Sequence, residues 1–152
     1  MRKTRIKGGN QPNKKKKRSW LPKPVQFIVN KVLPVIVLLV VGYFFAPNVS
    51  MNFQNNDVKQ LDNQAEAVMF YKADCSHCQK VYPTVFWHNV LHFQNHAKQV
   101  QTINVANVNN QHYISDQNIE STPTFKNIKT GRAFVITDKQ QVKQYLEKGE
   151  PK

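Results

Sequence analysis

Two cysteines, Cys75 and Cys78, are the residues of this chain whose type and spacing point most directly to chemistry. They lead into Gln79–Tyr82, a helical pattern, and helix residues three apart share a face. Both thiols can therefore meet in a first helical turn, where unpaired backbone N–H groups and the helix dipole favour a thiolate. The pair predicts thiol–disulfide exchange, in which the more exposed Cys75 attacks and the deeper Cys78 resolves the mixed disulfide.

The elements on either side fit such a placement. The unbroken apolar run Ala67–Tyr71 predicts a strand buried on both faces directly before the cysteines. After them we expect one helix to about Lys98, and its core-facing stripe would be Tyr82, Phe86, Phe93 and Ala97.

The remaining pattern predicts alternating strands and helices. We expect an edge strand at 48–53, a short helix at 57–62, a central strand at 100–105, a short helix at about 110–117, a hairpin of 124–127 with 132–136, and a last helix that a Thr137 capping box opens and that runs through Leu146. The predicted order after the edge strand is β-α-β-α-β-β-α.

Three features together resemble the thioredoxin superfamily over roughly residues 52–148. They are Cys75-Ser-His-Cys78, Pro83 five residues later, and Ser121-Thr-Pro-Thr-Phe125. The resemblance implies an α/β, thioredoxin-like fold, with a central mixed sheet flanked by helices. It also implies that Pro83 kinks the active-site helix and that Pro123 is cis and faces the cysteines.

The residues around the cysteines should tune the reaction. A His77 imidazolium would stabilise the Cys75 thiolate and make the disulfide a stronger oxidant, whereas Asp74 would oppose it. A histidine directly before the second cysteine also resembles DsbA-type oxidases. We therefore take His77 as catalytic.

Two further contacts are expected with the substrate. A cis bond before Pro123 would expose backbone groups of Thr122 to an extended substrate strand. With Ser76, Thr122 forms the expected substrate-binding set, and Pro123 joins the catalytic set.

The chain departs from the family at two positions. Thioredoxins have a buried acid where this chain has Met69, and a tryptophan where it has Asp74. Without the acid, the resemblance does not imply fast proton transfer to the deeper thiol, nor service by a cytoplasmic reductase.

His88, His92 and His96 recur every four residues along the predicted helix, so neighbouring pairs could chelate a metal. No acid or cysteine lies in register with them. We therefore expect neither a metal site nor a cofactor.

The formal charge of +13 is concentrated at the N-terminus, because residues 1–31 hold eleven Lys/Arg and no acid. The remainder is only +2. This distribution argues against a nucleic-acid-binding face.

An apolar stretch follows the basic leader. We expect a basic cytoplasmic segment (1–24), a single-pass transmembrane signal anchor (25–46) and an extracytoplasmic domain (47–152). A cleaved signal peptide is the alternative, but no small-residue cleavage site is visible and Pro47 follows Ala46. Ten basic residues precede the span, so the positive-inside rule places the N-terminus in the cytoplasm.

These observations predict a bacterial, membrane-anchored thiol–disulfide oxidoreductase that oxidises exported proteins with cysteines. An unknown redox partner would reset its dithiol. The alternatives are a dedicated reductase or accessory protein of a secretion, bacteriocin or conjugation system, and a non-enzymatic C-x-x-C metal-binding module. Since the chain has two cysteines, both in the motif, a structural disulfide in addition to a redox pair is excluded within it.

Overall fold

The N-terminal part of the described chain is one long apolar helical segment. The computed structural model describes residues 22–54, 58 and 60–151. Helix α1 (Lys23–Phe27) passes through a π-helical turn (Ile28–Val32) into α2 (Leu33–Phe53). The segment Pro24–Phe53 is long and apolar enough to cross a membrane. The described chain divides into two units, with the boundary between Leu39 and Val40.

The predicted edge strand at 48–53 is wrong, because these residues form the last turns of α2. Pro47 and Met51, four residues apart, lie on one face of the helix and are buried. Val49 and Phe53, which suggested a two-residue alternation with Met51, are exposed. The burial therefore has helical rather than strand periodicity.

The predicted helix at 57–62 is not present among the described residues of that range. Val58 and residues 60–62 are not helical. Asp57 and Lys59 lie outside the described residues.

Four strands form one mixed sheet in the order β2-β1-β3-β4. They are β1 (Ala67–Tyr71), β2 (Val100–Asn104), β3 (Thr124–Asn127) and β4 (Ala133–Val135). Strand β1 pairs parallel with β2 and antiparallel with β3, which pairs antiparallel with β4. The α/β fold with a central mixed sheet is thus confirmed.

Both faces of β1 are buried, as its apolar run predicts. Met69 and Tyr71 point into a core formed with helices α3 (Ser76–Leu91) and α5 (Lys139–Lys148), while Val68 and Phe70 point into a second core beside α4 (His112–Asp116). The alternation follows from the two-residue period of a strand.

Helix α3 ends at Leu91 rather than near Lys98. The Asn89 side chain donates to Val100 O at 2.7 Å and accepts from Val100 N at 2.9 Å, so the chain turns back to start β2. Of the predicted stripe, Tyr82 is buried and Phe86 half-buried, but Phe93 and Ala97 lie beyond the helix and are exposed.

The N-cap residue of α5 lies one position later than predicted. Asp138, not Thr137, is the N-cap residue, and its carboxylate accepts from Gln140 N at 2.8 Å. An aspartate is at least as good a cap as a threonine.

A polar cluster joins the end of α2 to the core. The Gln54 side-chain oxygen accepts from Tyr71 OH at 3.2 Å, from Tyr82 OH at 2.9 Å and from Thr102 Oγ1 at 3.2 Å. Tyr71 OH also donates to Met51 O at 3.4 Å. Two of these hydroxyls sit on β1 and α3, the elements on either side of the cysteines.

Replacing Gln54 with leucine is expected to destabilise residues 47–152 by about 1–3 kcal/mol, because it removes the common acceptor of these hydroxyls. Urea unfolding of that fragment measures the change. Gln64→Leu, at an exposed position, is the control. Equal stabilities of the two variants would show that the Gln54 cluster does not hold the end of α2 to the domain.

Candidate functional site

The two cysteines lie where β1 passes into α3. Cys75 is the N-cap residue of α3, and its sulfur accepts from Cys78 N at 3.4 Å. The connecting loop is held by Cys75 N donating to Lys72 O at 3.2 Å and by the Gln79 amide donating to Ala73 O at 2.8 Å. The Cys75 sulfur therefore occupies an N-terminal helix position that favours an anion.

The two thiols differ in exposure. Both are free; Cys75 is partly exposed and Cys78 is fully buried beneath it. Pro83 lies inside α3, two turns after Cys75. The expected arrangement of an accessible thiol over a deeper one is present in the structure.

A second loop faces the cysteines. The Thr122–Pro123 peptide bond is cis, as predicted, and Pro123 is buried. The Cys75 thiol donates to Thr122 O at 3.4 Å. Thr124 Oγ1 donates to Ser121 O at 2.6 Å and ties the loop to the start of β3. Pro123 and Thr122 are thus brought to the exposed cysteine.

The surroundings of Cys75 lower its pKa. Partial burial acts to raise the pKa, but hydrogen bonds from the Cys78 side chain and amide, the Thr122 side chain and the His77 amide outweigh it. These interactions favour the negatively charged sulfur. Cys75 is therefore the more readily ionised thiol.

The pKa of Cys78 is shifted in the opposite direction. Burial, with a smaller effect of the neighbouring Cys75 side chain, raises the pKa of Cys78 to about 12. Desolvation disfavours a thiolate in the core. The Cys78 thiol therefore stays protonated at neutral pH.

The residues between the cysteines are on the surface. Ser76 and His77 are exposed, as is Asp74 before them. The interaction of His77 with Cys75 comes from its backbone amide. Solvent therefore screens any effect of the His77 ring on the Cys75 thiolate.

Met69 lies in the core cluster that contains Cys78 and is fully buried. Its thioether carries no titratable proton. The deeper thiol therefore has an apolar neighbour where the family pattern has a carboxyl group.

Two of the three regularly spaced histidines have backbone partners. His88 Nε2 lies 2.7 Å from Lys98 O, and His92 Nδ1 lies 2.9 Å from His88 O. In the described ranges, no three His, Cys, Asp or Glu residues are grouped to hold a metal. His96 lies beyond the end of α3, in a 3₁₀ turn (His96–Lys98).

Gln79 was missed by the sequence reasoning, although its amide fixes the loop before Cys75. The one available signal was that Gln79 directly follows Cys78. An exposed glutamine in a helix does not by itself indicate a structural role. Gln54 has no sequence signal either, because the alternation in the residues before it indicates a strand, whereas they are helical.

Comparison with known proteins agrees with this geometry. The family model for thioredoxin matches residues 45–149. Neither the search of curated proteins nor the search of solved structures found a match. With a mixed sheet, a cysteine pair at the start of α3 and a family match over most of its length, the chain belongs to the thioredoxin family.

Proposed function

We propose that the chain is a thiol–disulfide oxidoreductase that acts mainly as an oxidase of exported proteins. The observation that carries the proposal is the contrast between its thiols. Cys75 is accessible with a lowered pKa, while Cys78 is buried with a pKa of about 12. Such a pair supports Cys75 as the sulfur that exchanges with substrate.

In the oxidising direction, a substrate thiolate attacks Cys75 Sγ of the Cys75–Cys78 disulfide. The S–S bond breaks, and Cys78 leaves with the electron pair and takes up a proton. A second substrate thiolate then attacks the substrate sulfur of the mixed disulfide and expels Cys75 as a thiolate. Because a low-pKa thiol leaves faster, lowering the pKa of Cys75 favours this release.

The substrate is proposed to lie across the loop of the cis bond. Thr122 would pair its backbone with an extended substrate segment, while Pro123 shapes the loop and Ser76 contacts the chain beside Cys75. His77 would add to thiolate stabilisation through its backbone amide. The proximity of Thr122 O to the Cys75 thiol supports this placement.

The same reaction run backwards would make the protein a reductase. The oxidase is preferred because stabilising the Cys75 thiolate stabilises the reduced protein, which makes its disulfide the better oxidant. Two electrons from each substrate dithiol would pass to an unidentified redox partner that restores the disulfide.

The proposed location is the cell membrane of a bacterium. Residues 1–24 would lie in the cytoplasm, residues 25–46 would span the bilayer, and residues 47–152 would lie outside. A helix of suitable length and hydropathy and the basic leader support this topology. Disulfides persist in that compartment.

Trapping in cells tests the proposal. Cys78→Ala should accumulate mixed disulfides through Cys75, because Cys75 can still attack a substrate disulfide while Cys78 is no longer there to displace the substrate. Cys75→Ala/Cys78→Ala is the matched control and should trap nothing. Mass spectrometry should identify exported proteins with cysteines. Cytoplasmic partners would contradict the proposed topology, and an equal absence of adducts in both variants would contradict the exchange reaction.

A further inference from the structure

An open groove of about 700 Å³ lies within residues 40–152. Its walls come from residues 43–47 of α2, the C-terminal half of α3, and α5. Its apolar and basic lining includes Tyr43, Phe44, Trp87, Leu91, Lys139 and Lys143. We call this surface the α2–α3–α5 groove.

The groove and its edge expose large apolar side chains. Leu91 is 79% exposed and Phe44 68%, and Val90 and Phe93 continue the apolar surface past the end of α3 at 43% and 67%. If nothing covered them, these apolar side chains would be in contact with water. Exposed apolar patches of this kind mark interaction surfaces.

The groove lies at the end of the apolar segment of α2. Tyr43 stacks on Trp87, with ring centroids 4.4 Å apart and planes 17° apart. Four residues later, Pro47 is already buried in the domain. If the span ends at residue 46, Trp87 and its neighbours lie at the depth of its last turn. Tryptophan and tyrosine are enriched at that level of a bilayer.

The charge on the rim fits a phospholipid surface. Lys139 and Lys143 are exposed on α5, one turn apart, and Glu147 is the acid on the same wall. Nearby, Lys80 pairs with Asp138 at 3.3 Å. The wall is left with a net positive charge. An apolar floor with a cationic rim suits acyl chains beneath anionic headgroups.

We propose that the α2–α3–α5 groove lies against the outer surface of the bilayer and binds anionic phospholipid. This inference rests on the membrane anchor of the proposed function. Leu91, Phe44 and Trp87 occupy the interface, and Lys139 and Lys143 contact headgroup phosphates. The domain is therefore held on the membrane in one orientation rather than tethered loosely.

This orientation has a consequence for the dithiol. Eleven residues separate Ser76 from Trp87 along α3, about 17 Å at 1.5 Å per residue. Membrane contact at one end of α3 leaves the cysteines at the other end free of it. The active-site helix thus connects the lipid-binding surface to the reacting thiols.

Fluorescence quenching in nanodiscs tests the proposal on the full-length chain. Trp20→Phe and Trp87→Phe remove both tryptophans of the chain. Leu91→Trp then places a reporter on the groove. Val108→Trp is the control, because Val108 is equally exposed and lies in the turn before α4, outside the groove. Discs contain one chain each and phosphatidylglycerol with phosphatidylcholine brominated on shallow acyl carbons.

Leu91→Trp should be quenched about threefold or more strongly than Val108→Trp, because an interfacial side chain is buried about 5–10 Å into the headgroup and acyl boundary. Equal quenching of the two reporters would overturn the proposal. One chain per disc excludes a second copy as the occupant of the groove.

A second set of variants tests whether the lysines contact the headgroups. In the Leu91→Trp background, Lys139→Gln/Lys143→Gln should lower the quenching to the level found without phosphatidylglycerol. Lys126→Gln/Lys129→Gln removes the same charge on the β3–β4 hairpin, outside the groove, and should leave the quenching unchanged. Reduced quenching in both double variants, or in neither, would overturn the assignment of the headgroup contacts.

Two further measurements separate this inference from the proposed function. Resistance to alkaline carbonate shows whether the chain is anchored, and exchange with glutathione shows whether the dithiol works. An anchored, active chain without groove quenching would refute only the lipid contact. A chain that carbonate extracts would refute the anchor and the lipid contact together.

Discussion

Replacing Cys75 with serine is expected to abolish thiol–disulfide exchange, reducing it to the uncatalysed rate. Serine is nearly isosteric, so the start of α3 and the loop of Thr122 should remain in place. What is lost is the accessible thiol of the cysteine pair, whose pKa its hydrogen bonds lower. The measurement is oxidation of a peptide dithiol, or reduction of the corresponding peptide disulfide, followed by mass change, with a circular dichroism spectrum to confirm folding.

The matched variant is Cys78→Ser. In the reducing direction, its Cys75 should still attack the peptide disulfide, and the reaction should stop at the mixed disulfide with Cys75. A Cys75→Ser protein that still forms a substrate adduct, while Cys78→Ser does not, would reverse the assigned roles of the two thiols.

The second large effect is the difference in alkylation rate between the two thiols of the reduced wild-type protein. At pH 7, a thiol with a pKa of about 12 is ionised to about 10⁻⁵, whereas one with a pKa below 9.0 is ionised to at least about 10⁻². Iodoacetamide should therefore label Cys75 at least about a thousandfold faster than Cys78. Peptide mass mapping follows both sites at once.

The pH dependence has a defined sign. Because the pKa of Cys75 is lowered, its labelling rate should fall as the pH drops through that value and level off above it, with a midpoint below 9.0. Labelling of Cys78 should stay slow across neutral pH until urea exposes it. Equal rates in the folded protein would contradict the described burial of Cys78.

The sequence predicted the central part of the fold because its signals there are strong and local. Strand β1 could be predicted from its apolar run, and α3 from the helical pattern directly after it, without knowledge of tertiary contacts. The 124–127 strand was predicted with the bounds that the structure has. Strand β2 ends one residue before its predicted end, at Asn104.

The errors occurred where long-range contacts decide the outcome. The end of α2 stays helical because Pro47 and Met51 bury one helical face, which the alternation of Val49, Met51 and Phe53 concealed. The end of α3 is set by the two hydrogen bonds of Asn89 to Val100, eleven residues away. Neither contact has a signature in a short window of sequence.

The candidate site was predicted from residue types and family spacing, and its geometry agrees for the cysteines and the cis bond. The sequence alone could not show that the Cys75 pKa depends on backbone amides and Thr122. It also assigned to the His77 ring an influence that its exposure weakens. The roles of His77, Ser76, Thr122 and Pro123 remain predictions.

The redox potential of the Cys75–Cys78 couple tests the account most directly. A glutathione titration of residues 47–152, read by the mass of trapped thiols, should show one two-electron transition between about −210 and −120 mV, above the value of about −270 mV for thioredoxin. His77→Asn should lower it by no more than about 30 mV, the equivalent of one pKa unit. A wild-type potential near −270 mV would contradict the oxidase and favour a reductase, and the absence of any transition would contradict a redox dithiol altogether.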